Sequence, residues 1–225
     1  MVKANAKPAA PSSKPDWADT TEQEILDAAL KIAEHEGWTS RLAVLAGAAC
    51  GLSAGETELL LPQGPADLAA LLSRRHDTRA LTVLAELDLA KLKIRERIAR
   101  AVEARLNAAA ADEAAVRRWT GFLALPMHAP LGARLAWESA DHLWRWAGDT
   151  ATDENHYTKR ALLAGILTGA LAIRLSSGSE AALAFTDRRI DNVMAFETWK
   201  RTTKFKPSEI LDSVANALGR IRYGA

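Results

Sequence analysis

Residues 152–160 read TDENHYTKR and place Asp153, Glu154, His156, Tyr157, Lys159 and Arg160 directly before a run of little but Leu, Ala, Ile and Gly. Side chains of these types could move protons, ligate a metal or bind a charged partner. Catalysis needs a nucleophile or second titratable group within reach, and His156 has no identified nucleophile beside it in sequence. His35, His76, His128, His142 and His156 form no close ligand pair on a helix, and no Glu-x-x-His step occurs in the chain. We therefore expect no catalytic residue, no metal site and no enzyme. Asp153 or Thr152 could simply cap a helix whose first turn holds Glu154. Lys159 and Arg160 are harder to place, because cations near a helix N-terminus oppose its dipole by a few tenths of a kcal/mol each, on the order given for surface charges. Either an acidic partner surface or an internal carboxylate such as Asp149 would compensate them.

The elements that must position this cluster are all helical. Thr20 or Thr21 can cap a first helix carrying Ile25, Leu26, Ala29 and Leu30, which Gly37 ends. A short helix from Arg41 to Ala49, the turn CGLS and the segment AGETELLLP follow. The next helix starts near Pro65 and is expected to end in the polar SRRHDT. From Ala80 to Ala111, Leu84, Leu87, Leu92, Ile94, Ile98, Val102 and Leu106 recur at near-helical spacing, as one long helix or two. Glu113 to Leu125, Gly132 to Gly148, Glu154 to Leu175 and Ser179 to Trp199 are further helices, with Pro126, Pro130, Gly148 and Gly178 at the joints. A last amphipathic piece runs from Ser208 to Tyr223. Neither period-two alternation nor a hairpin signal is present, so the fold class is all-α.

Composition narrows the function. The chain has 225 residues, a formal charge of +1 and 48% hydrophobic residues, which gives a good core and no general attraction to nucleic acid or anionic lipid. The single Cys50 excludes an intramolecular disulfide and a multi-cysteine metal site, and it suits the cytoplasm. Residues 1–18 read as a disordered tail without the apolar stretch of a secretory signal. The most apolar run, Ala161 to Ile173, falls short of the roughly twenty residues a bilayer crossing takes, so no transmembrane segment is expected.

ILDAALKIAEHEGW, LAVLAGAACGLSAGETELLL and PADLAALL together resemble the N-terminal three-helix unit of TetR-type regulators, through Glu36, Gly37 and Trp38 and the turn Gly51, Leu52 and Ser53. The resemblance implies a helix-turn-helix unit over 19–75 and a ligand-binding and dimerisation bundle over 76–202, with 203–225 as a C-terminal amphipathic helix. A ligand-responsive transcriptional regulator is then one reading. A recognition helix needs cations for phosphate contact, whereas residues 42–72 hold Glu56, Glu58 and Asp67 with no Lys or Arg, a net charge of −3. This expects a degenerate reading head and no nucleic-acid partner.

DHLWRWAGDTATDENHYTKRALLAGIL and FTDRRIDNVM resemble the family of the ninth COQ protein, a TetR-like accessory protein of ubiquinone biosynthesis, and suggest a bacterial member. The match rests on Trp144, Ala147, Gly148, Asp149, Tyr157 to Arg160, Arg189, Asn192 and Met194, with Trp119, Leu125, Pro126 and Pro130 upstream. The resemblance implies a non-catalytic homodimer, paired through its last two helices, that binds isoprenoid quinone intermediates or phospholipid as ligand and has no other cofactor. It also implies delivery to the di-iron demethoxyubiquinone hydroxylase through a docking patch, here Trp144, Asp153, Asn155, His156, Tyr157, Lys159 and Arg160. Family members often carry Trp where this chain has His156.

An isoprenoid tail needs an apolar tunnel, in which each buried methylene contributes about 0.8 kcal/mol. Leu123, Leu125, Met127, Trp137, Leu143, Trp144, Leu162, Leu163 and Ile166 are the candidates to line it. Near the C-terminus Ile210, Leu211, Val214, Leu218 and Ile221 form a helical stripe with Arg220 and Arg222 beside it, and residues 197–222 hold six basic against three acidic side chains. That stripe suits either peripheral contact with the inner face of the cytoplasmic membrane or docking on the protein's own bundle.

Overall fold

The computed structural model describes residues 17–150 and 154–202, with side chains over 17–150 and 156–195. The described backbone is α1 (Trp17–Glu36), α2 (Leu42–Ala49), α3 (Ala54–Leu60), α4 (Pro65–Leu84), α5 (Ile94–Ala110), α6 (Glu113–Leu123), α7 (Ala129–Trp146) and α8 (Glu154–Thr202), with 3-10 turns at Leu89–Lys91 and Pro126–His128. No strand occurs among the described residues.

Helix α1 starts earlier than expected. Thr21 lies inside it, buried, and its hydroxyl donates to the Trp17 carbonyl at 2.8 Å instead of capping. Ile25, Leu26, Ala29 and Ala33 form the buried stripe, and Gly37, at φ +72°, turns the chain out of the helix. Trp38 then donates from Nε1 to the Pro65 carbonyl at 2.9 Å, which fastens the end of α1 to the start of α4. Between α2 and α3, Gly51 takes φ +79°. Gly47 leaves room for the buried Thr57, whose side chain would collide with any added Cβ. Ser53 and Glu56 form a reciprocal capping box at the start of α3.

Helix α4 departs from expectation. The polar SRRHDT does not end it: the helix continues to Leu84, because Ser73, His76 and Asp77 lie buried on the same stripe as Leu68, Leu72, Ala80 and Leu84. The boundary expected at 75/76 thus falls within one continuous helix. Leu84 closes α4, Leu87 and Leu92 lie in the connection, and α5 begins at Ile94, so the long periodic run is two helices.

Two hydrophobic clusters result. One joins α1, α2, α4 and α6, where Val116, Trp119 and Phe122 meet Leu26 and Leu68. The other joins α5, α7 and α8 through Val102, Leu106, Leu143, Leu163 and Ala170.

Helix α8 breaks at Gly178, whose φ +89° and ψ 179° are not helical, giving arms over 154–177 and 179–202. The arms pack on each other: a Cβ on Gly169 would lie 2.9 Å from Phe185 Cζ. Within His156–Ala195 an 18-residue window reaches a mean hydropathy of 1.5, long and apolar enough by length and composition alone to cross a membrane, a test that the core helix of a soluble protein also passes. Here its apolar side enters the second cluster through Leu163, Ile166, Leu167, Ala170, Ala182 and Ile190.

Candidate functional site

The end of α7 and the start of α8 meet through one buried cation. Arg160 is 1% exposed, donates from Nε to Asp141 Oδ1 at 2.6 Å, and from Nη1 to Asp149 Oδ2 at 3.0 Å and the His156 carbonyl at 3.1 Å. Lys159 Nζ donates to the other Asp149 oxygen at 2.6 Å and lies 5.4 Å from the centre of the Trp144 ring, while Trp144 Nε1 donates to the Lys159 carbonyl at 3.0 Å. Burial pushes the Asp149 carboxyl up, but the hydrogen bonds from Lys159 and Arg160 outweigh it and hold it below the usual carboxylate range. The internal compensation left open by the sequence is therefore realised.

This corrects the placing of Arg160 in the docking patch: its side chain turns inward and ties α8 to α7, which leaves nothing for a partner to reach. Tyr157, 64% exposed, stands outside with its ring 6.1 Å from Trp137 and 5.2 Å from His156. Lys159 keeps 38% of its side chain exposed. The side chains of Asp153 and Asn155, and all of Ile210, Leu211, Val214, Leu218, Arg220, Ile221 and Arg222, lie outside the described residues.

The expected lipid-lining residues divide among several places. A half-open, mostly apolar groove of about 690 Å³ runs between α6, α7 and the first arm of α8, with Leu123, Leu135, Leu171 and Leu175 on its walls. A smaller one, about 420 Å³, lies between α5, the end of α7 and both arms of α8, and takes Trp144, Leu162, Leu163 and Ile166. Leu125 and Met127 line neither, because Pro126 turns the chain after α6 and leaves them 48% and 78% exposed. Leu143 is wholly buried in the second core cluster, and Trp137 packs toward Tyr157, so neither borders a groove.

Sequence reasoning passed over the polar floor of the larger groove. Asp77, buried, accepts from Arg105 Nε at 2.6 Å and from Ser139 Oγ at 2.8 and 2.9 Å, and His142 Nδ1 lies 3.5 Å away. Ser73, Arg105 and Ser139 all border the groove. Burial raises the Asp77 carboxyl, yet His142, Arg105 and Ser139 together bring it below the usual range, and Asp77 in turn raises His142. The signal was present in the sequence: Ser73 and Asp77 stand at helical spacing on the stripe of Leu68 and Leu72.

On the neighbouring turn His76 is fully buried, with Nε2 2.9 Å from Asp112 and Nδ1 unpartnered. Burial lowers its pKa, so the neutral ring is favoured, with the proton on Nε2 facing the carboxylate. Among the described residues no group of three or more His, Cys, Asp or Glu side chains could hold a metal ion. The outward side of α3 presents Glu56, Glu58 and Leu59.

These helices define an all-α, TetR-like protein. The TetR transcriptional regulator from Nitrosomonas europaea ATCC 19718 superposes with a TM-score of 0.60 over 77% of this chain and 97% of its own, at 19% identity, which is a likeness of fold. Residues 129–197, which contain α7 and the Arg160 cluster, match the COQ9 family model. The mitochondrial ubiquinone biosynthesis protein COQ9 of Rattus norvegicus is 28% identical over 182 residues, 77% of this chain and 58% of the relative. That of Bos taurus is 30% identical over 183 residues, 77% of this chain and 57% of the relative, and that of Homo sapiens is 28% identical over 183 residues, with the same coverage. The chain belongs to the COQ9 family. It spans less than two thirds of the length of these curated relatives.

Proposed function

We propose that the protein serves ubiquinone biosynthesis without catalysing a step, by binding an isoprenoid quinone intermediate and presenting it to the di-iron demethoxyubiquinone hydroxylase. The observation that carries this reading is the larger groove: its volume of about 690 Å³ lies in the range of ligand sites, roughly 300–1,000 Å³, and its walls are aliphatic. Tyr157 and Lys159 offer an aromatic and a cationic contact on the outside of the Arg160 cluster, where the hydroxylase would dock. The outward, apolar part of α8, with Leu162 at 41% and Met194 at 44% exposure, suits pairing of two copies. Peripheral contact with the inner face of the cytoplasmic membrane belongs to the same proposal and rests on the C-terminal stripe.

A transcriptional regulator is the competing reading, favoured by the likeness of fold. Charge argues against it, because Glu56 and Glu58 occupy the helix that would enter the major groove. The test is native mass spectrometry of the purified protein followed by identification of the extracted lipid. A prenylated quinone precursor supports the proposal, and a preparation that neither carries nor takes up any prenyl lipid contradicts it.

A further inference from the structure

The larger groove is more polar at its floor than a tail alone requires. Its rim is formed by exposed Ala124, Thr168 and Ala172, whereas Ser73, Arg105 and Ser139 at the floor are buried. The Arg105 side chain is 8% exposed. Its Nε is committed to Asp77 at 2.6 Å, and its Nη2 has only long contacts, 3.4 Å to Ser73 Oγ and 3.5 Å to the Ser73 carbonyl. Nη1 donates to none of the described residues. Ser139 gives its proton to Asp77, but Ser73 Oγ donates to none of the described residues. The floor therefore offers the groove a guanidinium nitrogen and a hydroxyl, neither of which is spent as a donor on a described residue.

We propose that these donors receive the headgroup of the bound amphiphile, and that this headgroup is an uncharged oxygen acceptor of the ring-carbonyl or ester type. The tail then runs from Arg105 between Leu123 and Leu171 toward the rim. This rests on the lipid reading above and adds which end enters first and what chemistry it bears. Charge balance selects the neutral headgroup. Arg105 is already matched by Asp77, so a phosphate or carboxylate at Nη1 would bring a second buried anion beside the first. Two other cationic groups lie near. His142 has 44% of its side chain exposed and is drawn to Asp77, and Arg117 at the rim has 52% exposed and is paired with Glu113 at 2.7 Å. Neither brings an unpaired, desolvated charge to the floor.

The test uses the full chain stripped of lipid and three probes with the same unsaturated C15 isoprenoid tail: a farnesyl benzoquinone, the farnesene hydrocarbon without a headgroup, and farnesyl diphosphate. Equilibrium binding is followed by tryptophan fluorescence. The quinone should bind about tenfold or more tighter than the hydrocarbon, the gain expected of a hydrogen bond to a charged donor. Arg105→Lys and Ser73→Ala should each reduce that ratio while leaving hydrocarbon binding unchanged. Ser73→Ala keeps the Asp77 to Arg105 pair and so carries the test if the lysine variant does not fold. Equal binding of quinone and hydrocarbon overturns the headgroup site but not the groove. Tightest binding by the diphosphate overturns the uncharged assignment. Failure of all three to bind overturns the lipid reading itself.

Discussion

Arg160 and Asp149 form a buried ion pair, Nη1 to Oδ2 at 3.0 Å, that joins the first turns of α8 to the residues just past α7. Because Asp141 holds the same guanidinium at 2.6 Å, Arg160 is fixed from two sides at once. Arg160→Leu would leave two partly desolvated carboxylates facing an apolar side chain, and should cost about 3 kcal/mol or more by urea denaturation. Arg160→Lys should recover only part, since an ammonium lacks the planar fork that serves both carboxylates.

Tyr157 provides the contrast. With most of its ring in solvent it contributes little to the fold, so Tyr157→Ala should change stability by less than about 1 kcal/mol. On the proposed reading it should nevertheless weaken capture of the purified hydroxylase by roughly tenfold or more, as loss of an aromatic interface residue does. Retained capture would remove Tyr157 from the docking surface.

The hairpin of α8 depends on Gly169. A methyl group there would press on the tip of the Phe185 ring at 2.9 to 3.1 Å, so Gly169→Ala should lose the roughly 0.5 to 1 kcal/mol that alanine otherwise adds inside a helix, and leave the chain no more stable than the wild type. Phe185→Leu in the same chain should restore part of the loss. Additive effects in the double-mutant cycle would show that the two arms do not meet as described.

Two buried-cluster histidines give opposite pH dependences. Burial holds His76 below its ordinary 6.5, so the unfolded chain takes up a proton first and stability is lost as pH falls below about 6.5. Asp77 raises His142 above 6.5, so its contribution is fully present below that value and is lost as pH rises through the raised folded value. Urea midpoints measured from pH 5 to pH 8 should therefore fall less steeply on the acid side in His76→Gln. In His142→Gln the loss above pH 6.5 should shrink. An unaltered pH profile in His76→Gln would mean that the ring titrates alike in the folded and the unfolded chain, and so is not held neutral by its burial.

Much of the architecture was readable because its joints depend on local backbone chemistry. Gly37, Gly51 and Gly178 all take positive φ where the chain turns, and Ser53 caps α3 beside Glu56. The end of α4 was misread for a physical reason: a polar run marks a helix end only when those residues meet solvent, and Ser73, His76 and Asp77 meet Arg105, Ser139 and Asp112 instead. Trp144, Lys159 and Asp149 come together: of the two compensations that charge reasoning left open for Lys159, the internal carboxylate is the one present. Periodicity could not sort the lining residues, because Leu143 and Leu163 obey the same spacing although Leu163 borders a groove and Leu143 does not.

The acidic α3 leads to a prediction about nucleic acid. With Glu56 and Glu58 outward, duplex DNA of any sequence should bind with a Kd weaker than about 1 μM at physiological salt in a fluorescence anisotropy titration. Tighter, salt-dependent binding would favour the regulator reading.

On the proposed reading the groove between α6, α7 and α8 holds a prenyl lipid. Ala133 borders that groove, and tryptophan at this position would fill it from the α7 side. The most direct measurement compares the lipid-bound fraction of the purified wild type and Ala133→Trp by native mass spectrometry, with circular dichroism to confirm that both are folded. A lipid-bound wild type and a lipid-free, folded variant are predicted; equal lipid occupancy in the two would contradict the account.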